Sequence, residues 1–480
     1  MLVDSNVLAL FSAATVVVHG LGIVHAAHAV MNVRSSQGAI AWGISLITFP
    51  WLAIPLYWIL GRSKFHGYAE ALRLAYAQHD DLVRQAYSEI IEFKVEPPEK
   101  LVPLQPLAEA LTALPFTSGN ATQLLIDGQQ TYEAMLKAIA SASNYVLLQS
   151  YIVNDDEAGN EFKTALIAKA KQGVRIYFLY DEIGSNHLSR SYIKSLQEHR
   201  IQVSAFNTTK GRGNRFQLNF RNHRKILVVD GETAFVGGLN IGDEYLGKNP
   251  HLSPWRDTHI RMQGPTVQCL QSSFLRDWYW ATGEILEVNW QVNANWETNQ
   301  TAFVLPTGPA DQLLACNLFF VNAIDQAQTR LWIASPYFVP DESTLSALKL
   351  AAVRGIDVRI ILPNRPDHLL VYLCSFSYYT EMQAVGIKLY RYKNGFMHQK
   401  IMLIDQDMAG VGTVNMDNRS FFLNFEVMGF VADLRFVESV EKMLQDDLAA
   451  SVAVDLSEYE RKPLWFKLAV RVSRLLAPLL

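Results

Sequence analysis

His223-Arg224-Lys225, followed by Asp230 and Gly237-Gly238-Leu239-Asn240, is matched 175 residues later by His398-Gln399-Lys400, Asp405 and Gly412-Thr413-Val414-Asn415. Counting from either His, Lys stands at +2, Asp at +7, Gly at +14 and Asn at +17. Five matched positions in two separate segments mark a duplication rather than a coincidence. Each His-x-Lys leads into an apolar run, Ile226-Leu227-Val228-Val229 and Ile401-Met402-Leu403-Ile404, which reads as a buried strand. Residues two apart on a strand share a face, so His and Lys are neighbours while Asp230 and Asp405 have the opposite parity. The acids are expected to point away from a substrate, toward structural ion pairs.

The echo extends outward. Ala138-Ile139 and Leu147-Leu148-Gln149-Ser150-Tyr151 correspond to Ala323-Ile324 and Trp332-Ile333-Ala334-Ser335-Pro336-Tyr337. Gly173-Val174-Arg175-Ile176 corresponds to Gly355-Ile356-Asp357-Val358-Arg359-Ile360. Strand-like and helix-like stretches alternate from about residue 120, with a helical segment expected over 161–171. The fold class is α/β: two pseudo-symmetric halves with mixed sheets flanked by helices, a duplication too long in period for a solenoid. If the two clusters cooperate they must meet, which places the site between the halves.

Before the halves lies a different kind of sequence. Residues 38–60 contain no charge, and 7–24 form a second uncharged run interrupted by His19. About 20 apolar residues of helix cross a bilayer core, so an N-terminal hairpin of two transmembrane helices, about 7–28 and 38–60, is expected. No basic residue precedes the first run, unlike a cleaved signal. Arg62, Lys64, Arg73 and Arg84 follow the hairpin, against Arg34 in its loop, which places the large C-terminal part in the cytoplasm. The expected units are the hairpin at 1–61, a helical stalk and Pro-rich linker at 62–118, the halves at 119–295 and 296–460, and a basic amphipathic helix at 461–480. In the last, Lys467, Arg471 and Arg474 form one stripe, suited to an anionic membrane surface. Cys269, Cys316 and Cys374 have neither disulfide nor zinc spacing.

Two His, two Lys and two Asn (Asn240, Asn415) converging would surround a phosphodiester. One imidazole can attack phosphorus and the other carry protons, with the fixed cations stabilising charge. No metal and no cofactor is expected, since the lysines would compete with a cation. Each His needs an acceptor behind it. Asp257, 34 residues after His223, and Glu426, 28 after His398, are the candidates, read here as Asp257 for His223 and Glu426 for His398. Lys210, Arg212, Arg215, Arg221, Arg224 and Lys225 form an acid-free basic run leading into the first cluster. Arg215, Arg221 and Arg224 are its candidate lipid-headgroup ligands. Beside a membrane hairpin, such a run favours lipid over nucleic acid.

The doubled His-x-Lys-x4-Asp pattern resembles the phospholipase D superfamily, and the wider context resembles bacterial cardiolipin synthases. The matching stretches are Arg221-Asn222-His223-Arg224-Lys225, Gly237-Gly238-Leu239-Asn240-Ile241-Gly242, Pro254-Trp255-Arg256-Asp257, Ser335-Pro336-Tyr337-Phe338-Val339-Pro340 and Gly412-Thr413-Val414-Asn415-Met416-Asp417-Asn418-Arg419-Ser420. The resemblance covers nearly the whole chain. It implies conversion of two phosphatidylglycerol molecules to cardiolipin and glycerol without metal or nucleotide, a multi-pass protein of the bacterial inner membrane, and His223 as nucleophile with His398 as acid/base. The catalytic set would be His223, Lys225, Asp230, His398, Lys400 and Asp405, supported by Asn240, Asn415, Asp257 and Glu426. Hydrolysis to phosphatidic acid, a different donor or acceptor, and a catalytically silent scaffold are the alternatives. The oligomeric state is not readable.

Overall fold

The structure, a computed structural model of the chain, describes residues 5–33, 35–61, 64–210, 214, 219–294 and 296–480. Two sets of strands follow the same order. The first half contains β1 (Thr117–Ile126), β2 (Tyr145–Ser150), β3 (Arg175–Tyr180), β4 (Gln202–Ala205), β5 (Arg221–Asn222), β6 (Ile226–Val229), β7 (Thr233–Gly237), β8 (Trp255–Arg256) and β9 (Thr258–Gln263). The second contains β10 (Gln300–Thr307), β11 (Arg330–Ala334), β12 (Phe338–Val339), β13 (Asp357–Pro363), β14 (Lys388–Tyr392), β15 (Phe396–Met397), β16 (Ile401–Ile404), β17 (Met408–Gly412), β18 (Met416–Asp417), β19 (Asn424–Ala432) and β20 (Ser451–Ala453).

One sheet runs through both halves in the order β20-β14-β13-β11-β16-β17-β19-β10-β1-β9-β7-β6-β2-β3-β4. Read outward from the central antiparallel β1–β10 pair, each half repeats the other. The outer strands β2, β3 and β4 pair in parallel, as do β11, β13 and β14. The inner strands are antiparallel. These strands are apolar almost throughout because helices cover both faces. In β2, Tyr145 and Leu147 enter one core while Val146 and Leu148 enter the other. β6 alternates likewise, a pattern expected of strands buried on both sides.

The N-terminal hairpin is present, but its second arm is broken. Ser5–Asn32 forms one helix, of which Leu10–Asn32 is long and apolar enough to cross a membrane. The 38–60 run is not one helix. It divides into Ser36–Thr48 and Pro50–Leu60, because Pro50 has no N–H to continue the ladder and pushes Phe49 out of helical conformation, at φ −132° and ψ 54°. Gly22 lets the arms touch: a Cβ there would lie 2.3 Å from the Leu46 carbonyl oxygen. Leu46, Ala53 and Tyr57 are buried against Ala26 and Ala29, whereas Leu10, Val16, Ile40, Ile44 and Leu52 face outward. Of the flanking charges, Arg34 and Arg62 lie outside the described residues.

The expected stalk does not stand free. It forms two helices, Tyr68–Gln78 and Asp80–Ile91, packed on the helix Pro265–Thr282. Phe65 and Tyr68 are buried against Phe206, Trp280 and Phe425. In the Pro-rich stretch, Leu101, Leu104 and Ala108 join the core. The helix over 161–171 begins earlier, at Glu157, where Asp156 caps it, and ends at Ala170.

The C-terminal helix Leu464–Leu475 packs on Leu369–Gln383, and this alters the expected basic stripe. Arg474 is drawn into the body, 3.2 Å from Glu381 and over the Tyr378 ring. Lys467 donates to the Glu460 carbonyl. The outward face is mostly apolar, with Leu464, Trp465, Leu468, Val472 and Leu475 exposed.

Candidate active site

His223 follows β5, which pairs in parallel with the beginning of β19: Arg221 stands opposite Asn424 and Asn222 opposite Phe425. The next step of this register brings His223 beside Glu426. The His223 N–H donates to the Phe425 carbonyl at 2.9 Å, and Nδ1 lies 2.8 and 3.0 Å from the Glu426 carboxylate oxygens. The second site is built the same way. β15 pairs with β8, the His398 N–H donates to the Arg256 carbonyl at 2.8 Å, and His398 Nδ1 meets Asp257 Oδ2 at 2.8 Å. The expected pairing is therefore reversed. Glu426 serves His223 and Asp257 serves His398, so each half lends its acid to the other. A short parallel bridge between the halves is what carries each acid across.

With a carboxylate at Nδ1, the proton of the neutral ring belongs on that nitrogen, leaving the Nε2 lone pair free. Glu426 is fully buried and is fixed by Ser420 Oγ at 2.8 Å and Asn424 Nδ2 at 3.1 Å. Burial would raise its pKa, but the charge and hydrogen bond of His223 hold it below the ordinary range. Asp257 is raised, by burial, with Lys400 opposing. Its close approach requires a glycine, since a Cβ at Gly238 would lie 2.0 Å from Asp257 Oδ1.

Lys225 and Lys400 share the face of their histidines, and each ammonium donates to the carbonyl of its own His. Burial lowers Lys225 to about 7 and Lys400 to about 8. It lowers His223 to about 4, with Lys225 and Lys400 adding to the effect against Glu426. His398 is pushed well below its usual value by burial, then by the charges of Lys400, Lys225 and His223. The two clusters thus lie within each other's field. Burial disfavours the charged forms of the histidines and lysines, and a bound phosphodiester anion would favour them again.

Asp230 and Asp405 take no part in it. Each follows its strand at the end opposite the His, with φ of 55° and 51°. Asp230 accepts from the N–H groups of Ser143, Asn144 and Tyr145 at 2.7–2.8 Å. Asp405 accepts from those of Gln328, Thr329 and Arg330 at 2.8–2.9 Å. The acids are structural, as their parity implies, but their partners are backbone amides at the starts of β2 and β11 rather than the expected ion pairs. A catalytic contact for either carboxylate is excluded by this placement.

Of the asparagines, Asn240 accepts from the Ile152 N–H and donates to the Tyr245 hydroxyl, both at 3.0 Å. Its amide holds the pocket wall. Asn415 is buried, and among the described residues its Oδ1 has no hydrogen-bond partner. Arg224 is not a lipid ligand. Parity turns it away from His223 into the protein, where it meets Asp277 through two 2.8 Å contacts and donates to the Glu426 and Thr307 carbonyls. Arg215 and Arg212 lie outside the described residues, and Lys210 donates to the Trp280 carbonyl. Arg221 remains half-buried at the pocket rim.

Several neighbours escaped the sequence reading. The Tyr151 ring meets His223 edge-on at 5.0 Å, and Lys225 Nζ lies 5.3 Å from the same ring. Tyr337, its counterpart, hydrogen-bonds Asp367, whose charge acts on His398 and Lys400. Trp255 and Phe396 flank His398. The signal for the tyrosines was available, since both lie in the Ser150-Tyr151 and Pro336-Tyr337 echo. Asp181, after β3, acts on Tyr151 and Lys225 much as Asp367, after β13, acts on Tyr337 and Lys400, but the sequences around the two acids do not match.

Comparison with known proteins agrees with this architecture. Residues 135–278 and 320–448 match the family model described as "Cardiolipin synthase, PLD-like domain". The chain belongs to this family. It is 45% identical to cardiolipin synthase A of Pseudomonas fluorescens (strain SBW25), covering 96% of this chain and 97% of that protein. It is 44% identical to cardiolipin synthase A of Pseudomonas aeruginosa (strain LESB58), covering 96% and 94%. Among solved structures, the phosphatidylserine synthase of Haemophilus influenzae Rd KW20 superposes with a TM-score of 0.61 at 15% identity. That match covers 78% of this chain and 100% of that one, a likeness of fold.

Proposed function

We propose that this family member is a cardiolipin synthase that transfers a phosphatidyl group between two phosphatidylglycerol molecules, giving cardiolipin and glycerol. The observation that carries the reading is the crossed pair of histidines, each with Nδ1 on a buried carboxylate and two lysines within their shared field. The names of the relatives point the same way.

In this reading His223 Nε2 attacks phosphorus of the first lipid. The bond to the glycerol oxygen breaks as His398, charged once the phosphodiester anion is bound, gives that oxygen its proton. A hydroxyl of the second phosphatidylglycerol then loses its proton to His398 and attacks phosphorus. The P–N bond breaks, cardiolipin leaves, and both rings return to their starting states. Lys225, Lys400 and Asn415 would hold the non-bridging oxygens.

The reading includes a multi-pass anchor in the bacterial inner membrane with the catalytic halves in the cytoplasm. The apolar exterior of both hairpin arms and the basic residues Lys64, Arg73 and Arg84 after them support it. It also includes docking of Leu464–Leu475 on the anionic bilayer surface, through its exposed apolar face and Lys467 and Arg471. Unit boundaries near 61, 118, 295 and 460 belong to the same proposal. Purified full-length protein given phosphatidylglycerol alone should release cardiolipin and glycerol in equal amounts. Phosphatidic acid as the main product would make it a hydrolase, and no turnover would make it a scaffold.

A further inference from the structure

Two arginines lie together at the rim of the His223 pocket, and among the described residues neither is in an ion pair with a side-chain carboxylate. Arg221 stands on β5, two residues before His223, and Arg419 lies in the short helix Asn418–Phe422 of the other half. Arg419 Nη2 donates to the Asn219 carbonyl at 2.6 Å and Nη1 to the Leu479 carbonyl at 3.0 Å. Arg221 Nη1 donates to the Phe220 carbonyl at 2.5 Å, and its guanidinium also bonds the Tyr151 hydroxyl. Carbonyls and a phenol orient these groups without cancelling their charge, and a guanidinium has five N–H donors, so several remain. Burial and then the nearby charge of Arg221 lower the pKa of Arg419, outweighing the weaker help of Asp417 and Glu426.

The nearest acids are already used. Asp181 accepts from the N–H groups of Asn222, Ile183 and Gly184, and Asp417 from that of Ser420. Among the described residues neither forms an ion pair with Arg221 or Arg419. Two guanidiniums brought together at such a cost form a site for an anion from outside.

Their location says which anion. Tyr151, which both arginines influence, is the ring that meets His223. Asn219, which accepts from Arg419, donates through Nδ2 to the carbonyl of Leu60, the last residue of the helix Pro50–Leu60, at 2.8 Å. The pair therefore lies between the reacting histidine and the point where the chain leaves its apolar helices. The repeat makes it one-sided, because the positions matching Arg221 and Arg419 are Phe396 and Glu244. Whatever binds here binds once per molecule, unlike the duplicated His and Lys set.

We propose that Arg221 and Arg419 form a second phosphate subsite that holds the phosphodiester of the acceptor phosphatidylglycerol while its glycerol hydroxyl reaches the phosphatidyl-enzyme. The inference rests on the reading that the reaction joins two such lipids. Each brings a phosphate, and the histidines and lysines accommodate only the one that reacts. A phosphate-free acceptor needs nothing from this subsite.

The test compares two acceptors for one donor. Full-length wild-type and Arg221→Gln/Arg419→Gln enzyme in mixed micelles are assayed for cardiolipin formation and for exchange of labelled glycerol into phosphatidylglycerol. The variant should lose about 10- to 100-fold in cardiolipin formation, through weaker saturation by the acceptor. Its glycerol exchange should fall no more than about threefold. The Arg221→Lys/Arg419→Lys enzyme, which keeps charge but not the fork, should recover part of the loss. Equal losses in both assays would mean that the arginines serve the donor or the fold, and no loss in either would mean that they bind nothing used in turnover; either result overturns the subsite. Wild-type enzyme that exchanges glycerol but makes no cardiolipin would instead refute the synthase reading on which it rests.

Discussion

Around His223 the wall of the pocket carries Arg221, Tyr151 and Arg419; in the repeat the matching residues are Phe396, beside His398, Tyr337 and Glu244. The layers behind the rings differ too. Arg224, next to His223, reaches Asp277, whereas its counterpart Gln399 reaches Asp447, and the charge opposite Asp447 comes from Arg256 instead. Phe425 occupies the place that matches Arg256. Each pocket therefore keeps one buried Arg–Asp pair, taken from different positions. The reacting groups are held symmetric while the supports and the rim diverge. Duplication supplied two equal clusters, and what distinguishes donor from acceptor must lie in the parts that are no longer equal.

The largest effects should come from the symmetric parts. His223→Ala and His398→Ala should each reduce turnover by at least about a thousandfold, since nucleophile and proton carrier act as a unit. Near-normal rates in either would break the equivalence of the two clusters. The crossed acids come next. Glu426→Gln and Asp257→Asn should each cost on the order of a hundredfold by loosening ring orientation. In His NMR spectra, Glu426→Gln should shift the resonances of His223 and Asp257→Asn those of His398. Shifts in the opposite pattern would restore pairing within each half.

The pH profile sharpens the same comparison. In the proposed reaction His223 attacks as the neutral ring, and burial keeps it neutral down to about pH 4. Lys225 loses its charge as pH rises through about 7. The profile of kcat/KM should therefore rise through about 4 and fall above about 7. Glu426 favours the His223 cation, so Glu426→Gln should move the acid limb lower, while Asp257→Asn should leave it in place. A smaller effect, on stability rather than rate, follows from the buried pairs. Asp277→Asn should cost about 3 kcal/mol in thermal or denaturant unfolding by leaving Arg224 unpaired. The smallest effect concerns the C-terminal helix. Lys467→Gln/Arg471→Gln should weaken binding to anionic vesicles by about 1 kcal/mol per charge at low salt and leave binding to neutral vesicles unchanged. Equal binding to both would leave the exposed apolar residues as the whole of the contact.

The duplication, the α/β alternation and the grouping of His with Lys could be read directly, because strand parity and a repeated spacing are local properties. The position of Asp230 and Asp405 away from the site followed from parity as well, although their amide partners did not, since an ion pair and a turn of backbone N–H groups make the same demand on sequence. The acid pairing failed for a definite reason. Separations of 34 and 28 residues are the same whether Asp257 and Glu426 act within a half or across it; only the β5–β19 and β8–β15 bridges decide, and pairing two residues long leaves no pattern. Arg224 is one residue out of phase with His223, so its turn into the protein is a local consequence of strand parity that the basic run around it conceals. Pro50 marks the break in the second arm, which the length of the uncharged run conceals.

The exchange of Glu426 and Asp257 has a consequence for assembly. A half-chain could fold its strands and carry its His and Lys, yet its imidazole would lack the carboxylate that fixes the proton. Reactivity toward phosphodiesters would then first appear when the two halves close on one another, at the last step of folding rather than during synthesis. If the proposed reaction and anchor hold, a protein emerging beside a bilayer of its own substrates would stay inert until it is whole.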